Sequence, residues 1–266
     1  MVGQAALALS QLKAKDTAPA IAEKLPRASA ALAKNLLTAL AALEDPKVLP
    51  SVLAFIETQQ SAECTGAIAE VIRRWKSKEL LAPSLKMVLR GSSATEEAAD
   101  LVRAVDKAIT AADRDAIAAL KRILSESGMS FEVKEECAYA LYTARDPFGK
   151  TWLLQPVNDA IRENPEGATL LRSRARIYLR LKLYREAQRD FEEVKKLASV
   201  NKKASIDGEE WIEVARANAG AKSYQPAADA IRNALGLGIR PKGFRDLPEF
   251  ADMRKQQKYA GLFDGD

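Results

Sequence analysis

The sequence predicts an all-α protein: an α–α superhelix in which helical hairpins stack in a row as a right-handed helical-repeat solenoid. Three observations lead there. In the C-terminal half, Ala175, Tyr178, Tyr184, Ala187, Phe191 and Val194 recur forty positions later as Ala215, Asn218, Tyr224, Ala227, Ile231 and Ala234. In the first 160 residues, Ala–Leu or equivalent pairs recur at Ala8–Leu9, Ala39–Leu40, Val71–Ile72, Ala104–Val105 and Ala140–Leu141, at intervals of 31, 32, 33 and 36 residues. Between these marks the apolar spacing is helical. Leu36, Leu37, Leu40 and Leu43 fall at i, i+1, i+4 and i+7, and Ile117, Leu120, Ile123 and Leu124 behave alike.

Each recurring pair sits in a helix that ends in a short polar link, often with an aspartate (Asp16, Asp45, Asp113, Asp146). A second helix follows. Its start carries Pro19, Pro50 or Pro83, each six residues before a large apolar residue, Leu25, Ile56 or Leu89. Proline is tolerated there because its missing donor would be unpaired in the first turn anyway. Ser93-Ala94-Thr95-Glu96 reads as a capping box ahead of the apolar run Ala98–Val105. Asp146-Pro147-Phe148-Gly149 is a turn, and Pro156 falls inside the helix after it. Five helical pairs result. Paired helices with an aspartate-and-proline link resemble HEAT repeats, in the short form near thirty residues, and the resemblance covers about Met1–Ile161.

Asn164-Pro165-Glu166-Gly167 breaks the pattern and is the expected boundary of a second array, 162–238. Its two copies share an order of small–x–x–large, then aromatic–x–x–Ala–x–x–x–large–x–x–small, which resembles the tetratricopeptide repeat (TPR). Packing explains the order. Ala175, Ala187, Ala215 and Ala227 let two antiparallel helices approach closely, and the bulky residues fill the space between hairpins. The chain departs from the family in its forty-residue period, with about six extra residues expected in Ser199–Asp207. Arg174 falls where the family has a core apolar residue, Asn218 replaces a tyrosine, and the terminal proline is absent. Gly236-Leu237-Gly238 ends the last helix. In the tail, 239–266, Phe244, Leu247, Phe250, Met253 and Tyr259 are spaced for short helical turns that cap the final hairpin. Asp264-Gly265-Asp266 is expected to fray.

Composition removes the commonest general base and metal ligand. The chain has no histidine, hence no histidine base, ligand or triad. Ser10–Lys13 and Ser199–Lys202 have Ser–x–x–Lys spacing without the companion motifs of an acyl-enzyme. No phosphate-binding glycine loop occurs, and Gly236-Leu237-Gly238 lacks a third glycine and a preceding strand. The adjacent carboxylates Glu96-Glu97, Glu135-Glu136, Glu192-Glu193 and Glu209-Glu210 point about 100° apart on a helix, which reads as a solvated face. No metal-binding pattern, and so no cofactor, is expected. Cys64 and Cys137 occupy similar points of repeats two units apart. With helical pairs stacked at about 10 Å, their sulfurs lie too far apart to bridge and are expected as buried, inert thiols. No apolar run reaches the ~18 residues of a membrane span. Met1–Leu12 lacks the basic start of a secretory signal, so a cytoplasmic location is expected.

One charge feature points to function. Arg162–Lys203 holds twelve basic and six acidic residues, a net +6 against +5 for the whole chain. Within it Arg172, Arg176 and Arg180 form one helix stripe. The TPR resemblance implies that this stripe lines a concave groove with Arg216 of the second copy beside it. Such basic groove residues hold carboxylates of extended peptides, for which the planar arginine fork is suited. The expectation is therefore a non-enzymatic scaffold or adaptor for complex assembly, gripping an acidic peptide or tail through Arg172, Arg176, Arg180 and Arg216. The blander reading of the stripe is a solvated basic face paired with acids of the same chain. The competing function is nucleic-acid binding through Arg172–Lys203, although no stacking aromatics accompany the arginines. A helical hydrolase or lyase is the weakest option.

Overall fold

The computed structural model describes residues 2–58, 62–91, 96–200 and 205–265. Among them every regular element is a helix, as the sequence predicts, and neighbouring helices pack together. The chain divides into two compact units, Met1–Leu153 and Leu154–Asp266.

The first unit holds α1 (Val2–Gln11), α2 (Ala18–Ala22), α3 (Ala30–Leu43), α4 (Leu49–Thr58), α5 (Thr65–Trp75), α6 (Leu81–Gly91), α7 (Glu96–Asp106), α8 (Arg114–Ser125), α9 (Phe131–Thr143) and the start of α10 (Pro147–Glu163). The first helices of the successive pairs, α1, α3, α5, α7 and α9, pack on one another in a row, and α4, α6 and α8 form a second row. A first helix inside the row is covered on two sides. Ala39–Leu40, Val71–Ile72, Ala104–Val105 and Ala140–Leu141 are accordingly buried. Ala8–Leu9 departs from this pattern: Ala8 is exposed and Leu9 half-buried, because α1 packs on α3 through Gly3, Ala6 and Ser10. Leu89 also shifts out of the core. Pro83 is the third residue of α6 whereas Pro50 is the second of α4, so the counterpart of buried Ile56 is Val88.

Backbone chemistry marks the turn of every pair except α7–α8. Lys13, Glu44, Lys76, Arg145, Lys182 and Lys222 all have φ between 51° and 63° just after the first helix of a pair. This left-handed position usually belongs to glycine. A basic side chain there has a compensation, since it faces the negative end of the helix dipole; Glu44 does not. Asp45 and Asp146 cap the helical turn that follows, accepting from the backbone N–H of Lys47 and Phe148 at 3.0 Å. Ser29 and Ser130 cap α3 and α9 in the same way, and Asp207 caps the helix Gly208–Gly220. The predicted capping box lies outside the described residues except for Glu96, which begins α7. At Gly149 the backbone of α10 crosses α9 so closely that a Cβ would overlap the Ala138 carbonyl.

The second unit comprises the rest of α10, α11 (Ala168–Arg180), α12 (Tyr184–Val200), α13 (Gly208–Gly220), α14 (Tyr224–Gly236) and the tail. The division inside α10 comes earlier than the Asn164–Gly167 turn. Asn158 of α10 binds Arg174 of α11, so the second half of the helix goes with the hairpins after it. α11 packs on α12, α12 on α13, and α13 on α14. Ala175, Ala187, Ala215 and Ala227 are fully buried at the close approaches, with Phe191 and Ile231 filling the core. The Tyr184 ring lies over Gly220 of the next hairpin, where a Cβ would strike it. Tyr224, its counterpart, instead meets Tyr259 of the tail, ring centroids 6.4 Å apart.

That tail forms 3₁₀ turns at Pro241–Gly243 and Pro248–Phe250, then α15 (Ala251–Arg254) and α16 (Gln257–Ala260). Phe244, Phe250, Met253, Tyr259 and Phe263 join the same apolar core as the hairpins. The tail thus stands where a further hairpin would, supplying the apolar surface that α13 and α14 cannot bury alone.

Candidate functional site: the first-helix face of the second unit

The arginine stripe lies on α11, and acids of the next first helix meet it. Arg172 Nε donates to Glu210 Oε1 at 2.5 Å, and Arg172 Nη2 donates to the Ser205 carbonyl at 2.9 Å. Arg176 Nε donates to both oxygens of Glu213, at 2.9 and 3.0 Å. On α13, Arg216 donates to Glu249 of the tail through Nη2 at 2.9 Å. Arg180, in the last turn of α11, is exposed. The structure therefore brings Arg172, Arg176 and Arg216 into one ladder and gives each a carboxylate one helical pair further along. The blander reading of the stripe describes these three contacts.

The rungs differ in burial. Side-chain exposure is 16% and 4% for Arg172 and Glu210, 30% and 5% for Arg216 and Glu249, but 55% and 25% for Arg176 and Glu213. Arg176 also holds Glu213 through Nε alone; its two terminal nitrogens make no hydrogen bond among the described residues. Burial pushes the Glu213 carboxyl above the usual carboxylate range, the bond from Arg176 offsets this in part, and the neighbouring Glu210 charge adds to it.

A different arginine meets the requirement of the core. Arg174 turns between α11 and α12, where it binds Asp190 with two bonds of 2.7 and 2.8 Å and Asn158 with a third of 2.9 Å. Asp190 is 7% exposed at its side chain. Asn218, in place of a tyrosine, is also buried and satisfied: it donates to the Val214 carbonyl and accepts from Gln188.

No family model, no curated protein and no solved structure matches this chain. The site must be read from its own chemistry.

Sequence reasoning missed the acidic half of the ladder. Glu210 and Glu136 each belong to an adjacent pair read as a solvated face, yet they are 3% and 5% exposed. Each is held by an arginine from the preceding first helix, Arg172 and Arg103. Arg73 meets Asp100 in the same fashion between α5 and α7. A signal was present. The separations, 38 for Arg172–Glu210, 33 for Arg103–Glu136 and for Arg216–Glu249, and 27 for Arg73–Asp100, each span about one helical pair. A parallel set of lysines serves the link aspartates: Lys78 binds Asp113 and Lys121 binds Asp146.

Of the remaining features, both cysteines are buried and unpaired, and burial pushes both thiols up. Among the described residues no group of three or more acids or cysteines could hold a metal ion, and no helix is long and apolar enough to cross a membrane.

Proposed function

We propose that the protein is a non-enzymatic interaction scaffold, HEAT-like in its first array and TPR-like in α11–α14, that docks an acidic segment of a protein partner on the α11–α13 face. Arg176 carries the reading. Its side chain is more than half exposed, and among the described residues Glu213 alone bonds it, through Nε, so both terminal nitrogens remain to receive a partner's carboxylate. Glu213 orients the fork and leaves it open. Arg180, one turn on, extends the positive stripe. Arg172 and Arg216 are committed to nearly buried glutamates, Arg172 tying α11 to α13 and Arg216 tying α13 to the tail. Nucleic-acid binding through Arg172–Lys203 has less support, because Arg172, Arg174, Lys195 and Lys196 are neutralised by Glu210, Asp190, Glu192 and Glu193.

The test is calorimetric titration of the full chain with a peptide of eight aspartates, in parallel with a single-stranded oligonucleotide. Arg176→Glu should weaken peptide binding at least tenfold, whereas Arg189→Glu on α12 should change it little. Equal binding by wild type and Arg176→Glu refutes the peptide reading. Tight, steeply salt-dependent binding of the oligonucleotide alone would replace it.

A further inference from the structure

Three charged groups face Glu213: Arg176 from α11, and Glu210 and Arg216 one turn to either side on its own helix. Arg216 is taken by Glu249, the charged group that the tail brings against α13, and Tyr184 of α12 lies beside that pair. Glu210 is taken by Arg172. Glu213 therefore depends on the single N–H of Arg176, in a setting where a quarter of its side chain reaches water and a like charge sits three residues away.

A carboxylate arriving at the terminal nitrogens of Arg176 would share that guanidinium with Glu213 from its other edge. Two anions on opposite edges of one fork lie about 6 Å apart, close enough at a partly desolvated site to disfavour double ionisation by about tenfold. The partner's carboxylate is drawn from water and keeps its charge. The strained one is Glu213, which burial has already moved towards its neutral form. We propose that docking of an acidic segment at Arg176 is coupled to proton uptake by Glu213, so that this face holds its partner more tightly as pH falls. The inference rests on the docking reading above and adds to it a proton-sensitive grip. Sign and window follow from linkage. Glu213 is raised in the free protein and raised further in the complex, so the complex binds the extra proton and affinity climbs as pH falls towards the raised carboxyl, until the ligand's own carboxylates protonate near pH 4.

The experiment uses the full chain and an octa-aspartate peptide, titrated calorimetrically at pH 7.5, 6.5 and 5.5 in buffers of different ionisation enthalpy. Wild type should bind up to about tenfold more tightly at pH 5.5 than at 7.5, with net proton uptake. Glu213→Gln should bind at all three pH values with one affinity and without proton uptake. Proton uptake is measured on the wild type, so the result does not depend on how well the variant folds. Peptide affinity that is flat with pH, or a pH dependence that survives in Glu213→Gln, overturns the coupling and leaves docking intact. Absence of binding at every pH overturns both.

Discussion

The Arg174–Asp190 pair permits a sharp energetic test, because two arginines on the same helix should behave in opposite ways. Arg174→Ala removes both bonds to a carboxylate that is 7% exposed. An uncompensated buried charge costs about 3–5 kcal/mol. Arg174 is itself 22% exposed, so water can reach part of the site, and about 3 kcal/mol is the expected loss. Arg176→Ala removes a rung whose arginine is more than half exposed, worth about 0–1 kcal/mol. The double change Arg174→Leu/Asp190→Leu removes the charge requirement together with the pair. It should recover most of the loss, or exceed wild-type stability by about 1 kcal/mol. Unit 2 contains Trp211 while Trp75 and Trp152 belong to unit 1. In a Trp75→Phe/Trp152→Phe background, urea unfolding followed by tryptophan fluorescence thus reports on unit 2. With a slope of about 2 kcal/mol per molar urea, Arg174→Ala should move the midpoint down by roughly 1.5 M. Equal losses in Arg174→Ala and Arg176→Ala, or a double variant as unstable as Arg174→Ala, would refute the reasoning.

Three further outcomes are expected. Gly149→Ala should destabilise unit 1 by about 2–3 kcal/mol, seen as a lower thermal midpoint, since the new methyl group meets the backbone of α9 at Ala138 and neither helix can yield freely. Glu44→Gly should raise stability by about 1 kcal/mol in the same assay, because it relieves a left-handed φ of 52° and removes a negative charge from the C-terminus of α3. Asp113→Asn should be destabilising at pH 7 and nearly neutral at pH 2. Burial raises the Asp113 carboxyl, but bonds from Lys78 and Thr110 outweigh it and hold the group below its ordinary value, so its stabilising effect exists above the unfolded pKa and vanishes as pH falls through the folded one. Urea unfolding of wild type and variant at the two pH values measures the difference.

The helices and their pairing were legible in the sequence because they depend on local quantities: apolar spacing, link residues and the small-residue positions of the hairpins. The recurring pairs Ala39–Leu40 to Ala140–Leu141 and the copies around Ala175 and Ala215 mark buried positions without knowledge of any distant neighbour. Left-handed turns without glycine escaped notice, since Lys76 and Lys182 look like ordinary surface residues until their backbone angles are seen. The charge ladder escaped for a further reason. A glutamate such as Glu210 has the same local signature whether it faces water or an arginine 38 residues earlier. Periodicity assigns a residue to a face of its helix, but only the packing of one helix against the next determines what lies opposite that face. By itself, then, the sequence determined an all-α chain of helical hairpins and where its charge is concentrated. The tertiary structure decided which arginines are consumed in holding the hairpins together and left Arg176 with an open edge, because partnership and burial are properties of two segments brought together and neither segment encodes them alone.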